Sequence, residues 1–146
     1  LRLAPMACAE AVHAAVGFLK YDRHAVDIQV DIPGAVRILA DADKIRQVFL
    51  NILINAVQSI PDSGRIRIDA AVDDQHVTTT IADTGCGITE TQLEKVFSPF
   101  YTTKDTGTGL GLAVCCKIVE GHGGALEADS RPGEGTRIRV RLPRAE

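Results

Sequence analysis

The chain has no apolar run approaching the roughly 20 residues needed to span a bilayer, and no charged lead followed by an apolar signal core at its N-terminus. A membrane-inserted segment is therefore not expected, and we expect a soluble piece. Basic excess is lacking as well. Sixteen Lys and Arg against nineteen Asp and Glu leave a net charge of -3, without the positive surface that nucleic acid or an anionic membrane usually requires. The four cysteines, Cys8, Cys86, Cys115 and Cys116, form no CxxC pair and have no histidine at zinc-site spacing nearby. Zinc is disfavoured, and free buried or half-buried thiols in a reducing, cytoplasmic setting are expected. Internal repeats and low-complexity blocks are missing too. With 146 residues, 45% hydrophobic and 24% charged, the chain suffices for one domain with a core and is too short for two. Residues 1–146 are read as that domain.

Helical spacing runs from about Met6 to Lys20, with Val12, Ala15, Val16 and Leu19 on one side, and Val26 to Val30 then alternates as a strand. Pro33-Gly34 turns the chain into a short strand from Val36 to Leu39. Asp41 or Asp43 then opens a long helix through about Ile60, which Pro61-Asp62-Ser63-Gly64 ends. Arg65 to Val72 and His76 to Ala82 are alternating, β-branched segments joined by Asp73-Asp74-Gln75, the pattern of an antiparallel hairpin. A short helix is expected after Gly87, where Thr89 and Gln92 have capping-box spacing and Leu93 and Val96 supply an apolar side. From Ser98 to Gly109, Thr and Gly dominate without periodicity, as in a loop that can move. Leu110 to Glu120 is helical again and stops at Gly121-His122-Gly123-Gly124. Ala125 to Ala128 and Thr136 to Leu142 read as a closing pair of strands.

Several groups of residues carry chemistry. On the long helix, Lys44, Gln47, Asn51, Asn55 and Gln58 fall within roughly 80° of one another at ~100° per residue, beside an apolar face of Ile45, Val48, Phe49, Ile52, Leu53, Ala56 and Ile60. The solvated side of an amphipathic helix accounts for such a stripe; equally, an asparagine carbonyl is a hard oxygen ligand suited to Mg2+. Asp83 ends a strand and runs into Gly85 and Gly87, glycines able to take positive φ and admit close approach of a flat ligand. An ordinary turn has the same pattern. If the ligand is a purine, an ionised carboxylate here accepts from the adenine N6 amino group and repels the guanine O6 acceptor.

Gly107, Gly109 and Gly111 precede a helix whose first N–H groups have no partner within the helix and whose dipole favours an anion. The pattern is neither GxxxxGK[ST] nor GxGxxG, because no lysine follows at the right distance and the glycines recur every second residue. Lys104, just ahead of them, supplies a positive charge able to meet a terminal phosphate. Gly133-Glu134-Gly135-Thr136, between the last two strands, is accounted for as a turn.

With these residues placed, the chain resembles, nearly end to end, the catalytic ATP-binding domain of bacterial sensor histidine kinases, in the superfamily shared with DNA gyrase, Hsp90 and MutL. Asn51-Ile52-Leu53-Ile54-Asn55-Ala56 is similar to that family's N box, Asp83 to Gly87 to its first glycine box, Phe97 to Phe100 to its F box, Gly107 to Gly111 to its second glycine box, and Gly133 to Thr136 to its final glycine motif. The resemblance implies an α/β fold, the two-layer sandwich called the Bergerat fold, with a mixed sheet of about five strands packed on three helices and a short mobile ATP lid. It implies ATP and Mg2+, with Asn55 as the metal ligand, Asp83 on adenine, Asn51 lining the same cleft and backbone groups of Gly109 to Gly111 on the phosphates. Thr136 is expected on the adenine side through a bridging water. The implied nucleotide-binding set also takes in Gly85, Gly87, Ile88, Phe100, Thr102, Thr103, Lys104, Gly107, Thr108, Leu110 and Leu112, and the implied catalytic group is Asn51, Asn55 and Lys104.

Two departures from the family pattern matter. Hydrolytic relatives place a water-activating glutamate where Asn51 stands, and an amide cannot act as that base, so negligible ATP hydrolysis is expected. Many sensor kinases have a lysine at the position of Gln58; the short segment between Phe100 and Gly107 resembles the lid of nitrogen-regulation-type kinases, and Lys104 is expected to compensate. The implied activity is transfer of the γ-phosphoryl group to a histidine on a dimerisation domain, with a response regulator downstream. None of His13, His24, His76 or His122 is followed by the acidic residue typical of that acceptor, so the acceptor is expected on a neighbouring segment or a separate protein. An anti-sigma-factor-type serine kinase usually keeps an acidic residue at position 51, and a non-catalytic nucleotide-binding module would share every binding element.

Overall fold

The computed structural model describes residues 1–87 and 111–145. Its first element is a strand, β1 (Ala4–Ala7), followed directly by helix α1 (Cys8–Phe18). The helix expected from Met6 therefore begins two residues later, because the backbone of Ala4–Ala7 is taken up in antiparallel pairing with β3 (Arg37–Ala40). It also ends before Lys20, since Leu19 is extended, with φ -72° and ψ 131°.

Helix α2 (Ala42–Ser59) is capped by Asp41, whose carboxylate accepts from the Lys44 N–H at 3.3 Å. That bond satisfies one of the donors a helix N-terminus leaves without an internal partner. Its apolar side, Ile45, Val48, Phe49, Ile52, Leu53 and Ala56, is buried. Helix α3 (Gly111–Gly121) stops where His122, Gly123 and Gly124 return their N–H groups to carbonyls of residues 118–120.

These three helices, the helices among the described residues, pack on one face of a five-stranded sheet in the order β2 (Val26–Asp31), β4 (Gly64–Val72), β5 (His76–Asp83), β7 (Gly135–Pro143), β6 (Ala125–Arg131). The pair β2 and β4 is parallel and the remaining pairs are antiparallel, so the sheet is mixed. The turn between β4 and β5 is held by Asp73, whose side chain accepts from the N–H groups of Gln75 and His76 at 2.8 and 2.7 Å.

Period-two alternation sorts the sheet residues. Ile66, Ile68, Val77, Ile81, Ile138, Val140 and Leu142 are buried with Phe49 and Leu53 in one continuous core, while Arg67, Arg137 and Arg141 lie on the exposed side. Burying a side chain of this size contributes about 1.5–3 kcal/mol, so this layer holds α2 firmly against β5 and β7. Position 83 has the parity of Val77, Thr79 and Ile81, which carries Asp83 onto the helix side at the end of β5.

Candidate functional site

Asp83 is 9% exposed, and a carboxylate in such a place requires hydrogen-bond partners. Three donors from three elements converge on its Oδ1: the Gly85 N–H at 2.8 Å, the Ser59 hydroxyl at 3.2 Å and the Thr136 N–H at 3.3 Å. The turn that follows is clamped on both sides. The Cys86 N–H donates to the Ser59 carbonyl at 2.9 Å, and the Cys86 carbonyl accepts from the Gly133 N–H at 2.7 Å. The 83–87 segment is thus wedged between the end of α2 and the β6–β7 turn.

Both glycines of this turn are required by that wedge. At Gly85 a Cβ would stand 2.6 Å from the Ser59 carbonyl oxygen and 2.8 Å from its carbon. Gly85 thus has a packing reason of its own, its bare Cα lying against the last residue of α2. Gly87 has φ +70°, and a Cβ there would run into the Arg131 carbonyl.

Asn51 and Asn55 are half-buried on α2, whereas Lys44, Gln47 and Gln58 of the same stripe are exposed. The Asn51 amide donates to the Cys115 sulfur at 3.7 Å, and the Cys115 thiol in turn donates to the Val48 carbonyl at 3.8 Å. This bridge fastens α2 to α3. Burial pushes the Cys115 thiol up to about 11, against the opposing pull of the Asn51 hydrogen bond. All four cysteines are free; Cys8 and Cys115 are buried, Cys116 half-buried and Cys86 exposed, so adjacent Cys115 and Cys116 do face different surroundings.

Thr136 stands beside Asp83, its N–H on the carboxylate and its hydroxyl 2.8 Å from that of Ser130. A cavity of about 550 Å3 opens here, reaching from Asp83, Ser130 and Thr136 to the charged Asp129, Arg131 and Arg137. Gly111 opens α3 and Leu112 is half-buried behind it. The structure therefore brings Asp83, Gly85, Gly87 and Thr136 together against the end of the helix that carries Asn51 and Asn55. Ile88, Phe100, Thr102, Thr103, Lys104, Gly107, Thr108, Gly109 and Leu110 lie outside the described residues, as do the short helix expected after Gly87 and the expected lid.

Two contributors escaped the motif reading. Ser59 is one turn beyond Asn55, and at ~100° per residue it falls between Val48 and Ile52 on the buried flank, where a polar side chain is itself the signal. Cys115 carried no such mark, since its partner lies on another helix. Among the described residues no three His, Cys, Asp or Glu side chains are grouped to hold a metal. A divalent ion here would take an amide oxygen from α2 and complete its shell with phosphate oxygens and water, which is the way Mg2+ is commonly held.

Three helices on one face of a mixed five-stranded sheet, with a buried aspartate at a strand end beside an asparagine-bearing helix, define a two-layer α/β sandwich of the Bergerat type. Residues 40–146 match the family described as histidine kinase-, DNA gyrase B- and HSP90-like ATPase. Sporulation kinase E of Bacillus subtilis is 43% identical over 119 residues, covering 81% of this chain and 16% of that protein. The sensor histidine kinase ZraS of Klebsiella oxytoca is 45% identical over 112 residues, covering 76% of this chain and 24% of that protein. Among solved structures, the catalytic domain of histidine kinase ThkA superposes with a TM-score of 0.88 at 27% identity over all of both chains. Full-length ShkA in complex with AMPPNP gives 0.87 at 28% identity, over 99% of this chain and 32% of that one. The chain belongs to the histidine kinase-, DNA gyrase B- and HSP90-like ATPase family, as a catalytic ATP-binding domain of the sensor histidine kinase kind. It spans about a quarter or less of the curated relatives named above.

Proposed function

We propose that this chain is the kinase module of a two-component sensor, binding Mg-ATP and passing the γ-phosphoryl group to a histidine on a dimerisation domain outside residues 1–146. The observation that carries the proposal is the joining of Asp83 to the end of α2 through Ser59, one turn from Asn55 and two from Asn51. Asp83, with Oδ1 held by three donors, accepts from the N6 amino group of adenine. Thr136 lies on the same side of the base. Asn55 offers its amide oxygen to Mg2+, and Asn51 lines the cleft beside it. The bound ion would neutralise charge on the triphosphate.

The N-terminus of α3 at Gly111, preceded by the glycines 107 and 109, suits the phosphates, and Lys104 replaces the cation that Gln58 does not provide. In the transfer, a ring nitrogen of the acceptor histidine donates its lone pair to the γ-phosphorus while the bond from phosphorus to the ADP oxygen breaks. The chain has an amide at position 51 where a water-activating carboxylate would stand, so it orients phosphoryl transfer and hydrolyses ATP negligibly. A response regulator receives the phosphoryl group next, and the module works in the cytoplasm. No described helix is long and apolar enough to cross a membrane.

The deciding experiment mixes this chain with a separately made dimerisation domain and γ-labelled ATP. Acid-labile label on the dimerisation domain is expected. Acid-stable label would mark a serine kinase instead, and nucleotide binding without any label would mark a non-catalytic module.

A further inference from the structure

We infer that Ser59 is a positioning residue for base recognition, tying the Asp83 carboxylate to the helix that carries Asn51 and Asn55; this rests on the nucleotide-binding reading above. Ser59 is the last residue of α2 and meets the 83–87 turn with side chain and main chain alike. Its hydroxyl oxygen lies 2.8 Å from the Ala56 carbonyl and 3.2 Å from Asp83 Oδ1, and its one proton can turn to either. The carboxylate is the stronger acceptor, because hydrogen bonds to an ionised group are roughly twice as strong as neutral ones. Its carbonyl takes the Cys86 N–H, and Gly85 presses against the same peptide unit.

Among the described residues, two further donors to Oδ1, the N–H groups of Gly85 and Thr136, come from the turn and from β7. They orient the carboxylate relative to the sheet. Ser59 adds its orientation relative to α2, and Asn55, four residues earlier on the same helix, moves with it. One hydroxyl thus registers the base-reading end of the cleft to its metal-holding end. Its loss relaxes the carboxylate about its Cβ–Cγ bond while leaving the phosphate-binding groups in place.

The test measures binding of Mg-ATP, Mg-GTP and magnesium tripolyphosphate to the 146-residue chain by calorimetry, in the parent, Ser59→Ala and Ser59→Cys, alongside melting temperatures. Ser59→Ala is expected to bind ATP about fivefold to tenfold more weakly, less than the full worth of a hydrogen bond to a charged group because Ser59 orients the carboxylate without touching the base, and its preference for ATP over GTP shrinks by the same factor. Tripolyphosphate, which has no base, binds as in the parent. An unchanged ATP-over-GTP preference overturns the inference, and so does an equal loss for ATP and tripolyphosphate, which marks a general structural role. Should Ser59→Ala fail to fold, Ser59→Cys decides, since a thiol fills the place with a weaker donor: a reduced preference supports the inference and a parental one sinks it. A parent chain that binds ATP no better than GTP refutes the adenine reading of Asp83 itself, a different failure.

Discussion

The Thr136 N–H and the Asp83 carboxylate are hydrogen-bonded at 3.3 Å across 53 positions of sequence. With the Gly85 N–H and the Ser59 hydroxyl on the same oxygen, an asparagine at position 83 would have to keep its carbonyl oxygen there and turn its NH2 group toward the other side. A donor would then face the adenine amino group and suit the guanine O6 instead. Asp83→Asn is expected to lower ATP affinity by roughly tenfold or more, the 1.5–3 kcal/mol of a charged hydrogen bond, and to narrow or reverse the ATP-over-GTP preference. Calorimetric titration with both nucleotides measures this, and an unchanged ratio would refute it.

Asn55 is half-buried on α2 beside the buried Ala56. Asn55→Ala forfeits the interactions of the amide but gains helix propensity, so it should lower stability by no more than about 1–2 kcal/mol. On the proposed role of Asn55 as a metal ligand, its removal should abolish the dependence of ATP binding on Mg2+ and reduce transfer to the dimerisation domain by roughly a hundredfold or more. Titrating MgCl2 at fixed ATP separates the two effects. If Asn55→Ala still binds ATP more tightly with magnesium, the ion is held elsewhere.

Gly85 and Gly34 make a matched pair for testing the wedge. An added Cβ at Gly85 meets the Ser59 main chain at 2.6 and 2.8 Å, whereas at Gly34 it meets nothing within 4 Å. Gly85→Ala should destabilise the fold by about 1–3 kcal/mol, as over-packing usually does, and weaken ATP binding along with it. Gly34→Ala should be neutral or slightly stabilising, by up to about 1 kcal/mol, through the unfolded chain. Urea midpoints of the two variants decide it; equal values would mean that the turn yields freely.

Much of this architecture is legible in local sequence pattern, and the exceptions share a cause. Alternation in Arg65 to Val72 and His76 to Ala82 gave the hairpin within a residue at each end, and the long amphipathic helix fell between Asp41 and Ile60 as its cap and stop signals indicated. Met6 and Ala7 were read into the helix because two residues have no period of their own; the strand state of Ala4–Ala7 comes from pairing with Arg37–Ala40, thirty or more positions away. Motif spacing picks out Asp83, Thr136, Asn51 and Asn55, and the structure sets the first two side by side. It does not pick out Ser59 and Cys115, since each acts through a partner on another element. The packing reason for Gly85 was hidden in the same way, as the neighbour that requires it is Ser59.

Cys115 predicts an alkaline instability. Burial raises its thiol from 9.0 to about 11, so the neutral form is favoured in the folded state. Its contribution is intact below the unfolded value and is lost as pH rises from about 9 toward 11, amounting to about 2–3 kcal/mol at the upper end. Cys8 and Cys116 are raised by burial as well and act in the same direction. Urea midpoints should therefore fall between pH 9 and 11, and fall less steeply for Cys115→Ser, which does not titrate there. Parallel slopes for parent and variant would remove Cys115 as the cause.

His122 is 3% exposed, with both ring nitrogens engaged: Nδ1–H donates to the Ile118 carbonyl at 2.7 Å and Nε2 accepts from the Asp41 N–H at 3.0 Å. The imidazole thus joins the end of α3 to the residue that caps α2, and neither nitrogen is offered to an incoming phosphoryl group. His122→Ala leaves the Asp41 N–H without its acceptor and opens a gap, at a cost of about 2–4 kcal/mol. The parent chain incubated alone with labelled ATP should acquire no acid-labile phosphate. His122→Ala, assayed well below its lowered melting temperature, should still label a separately supplied dimerisation domain. If instead the parent labels itself and the variant does not, His122 is the acceptor, and its place at the α2–α3 junction would have to open during the reaction.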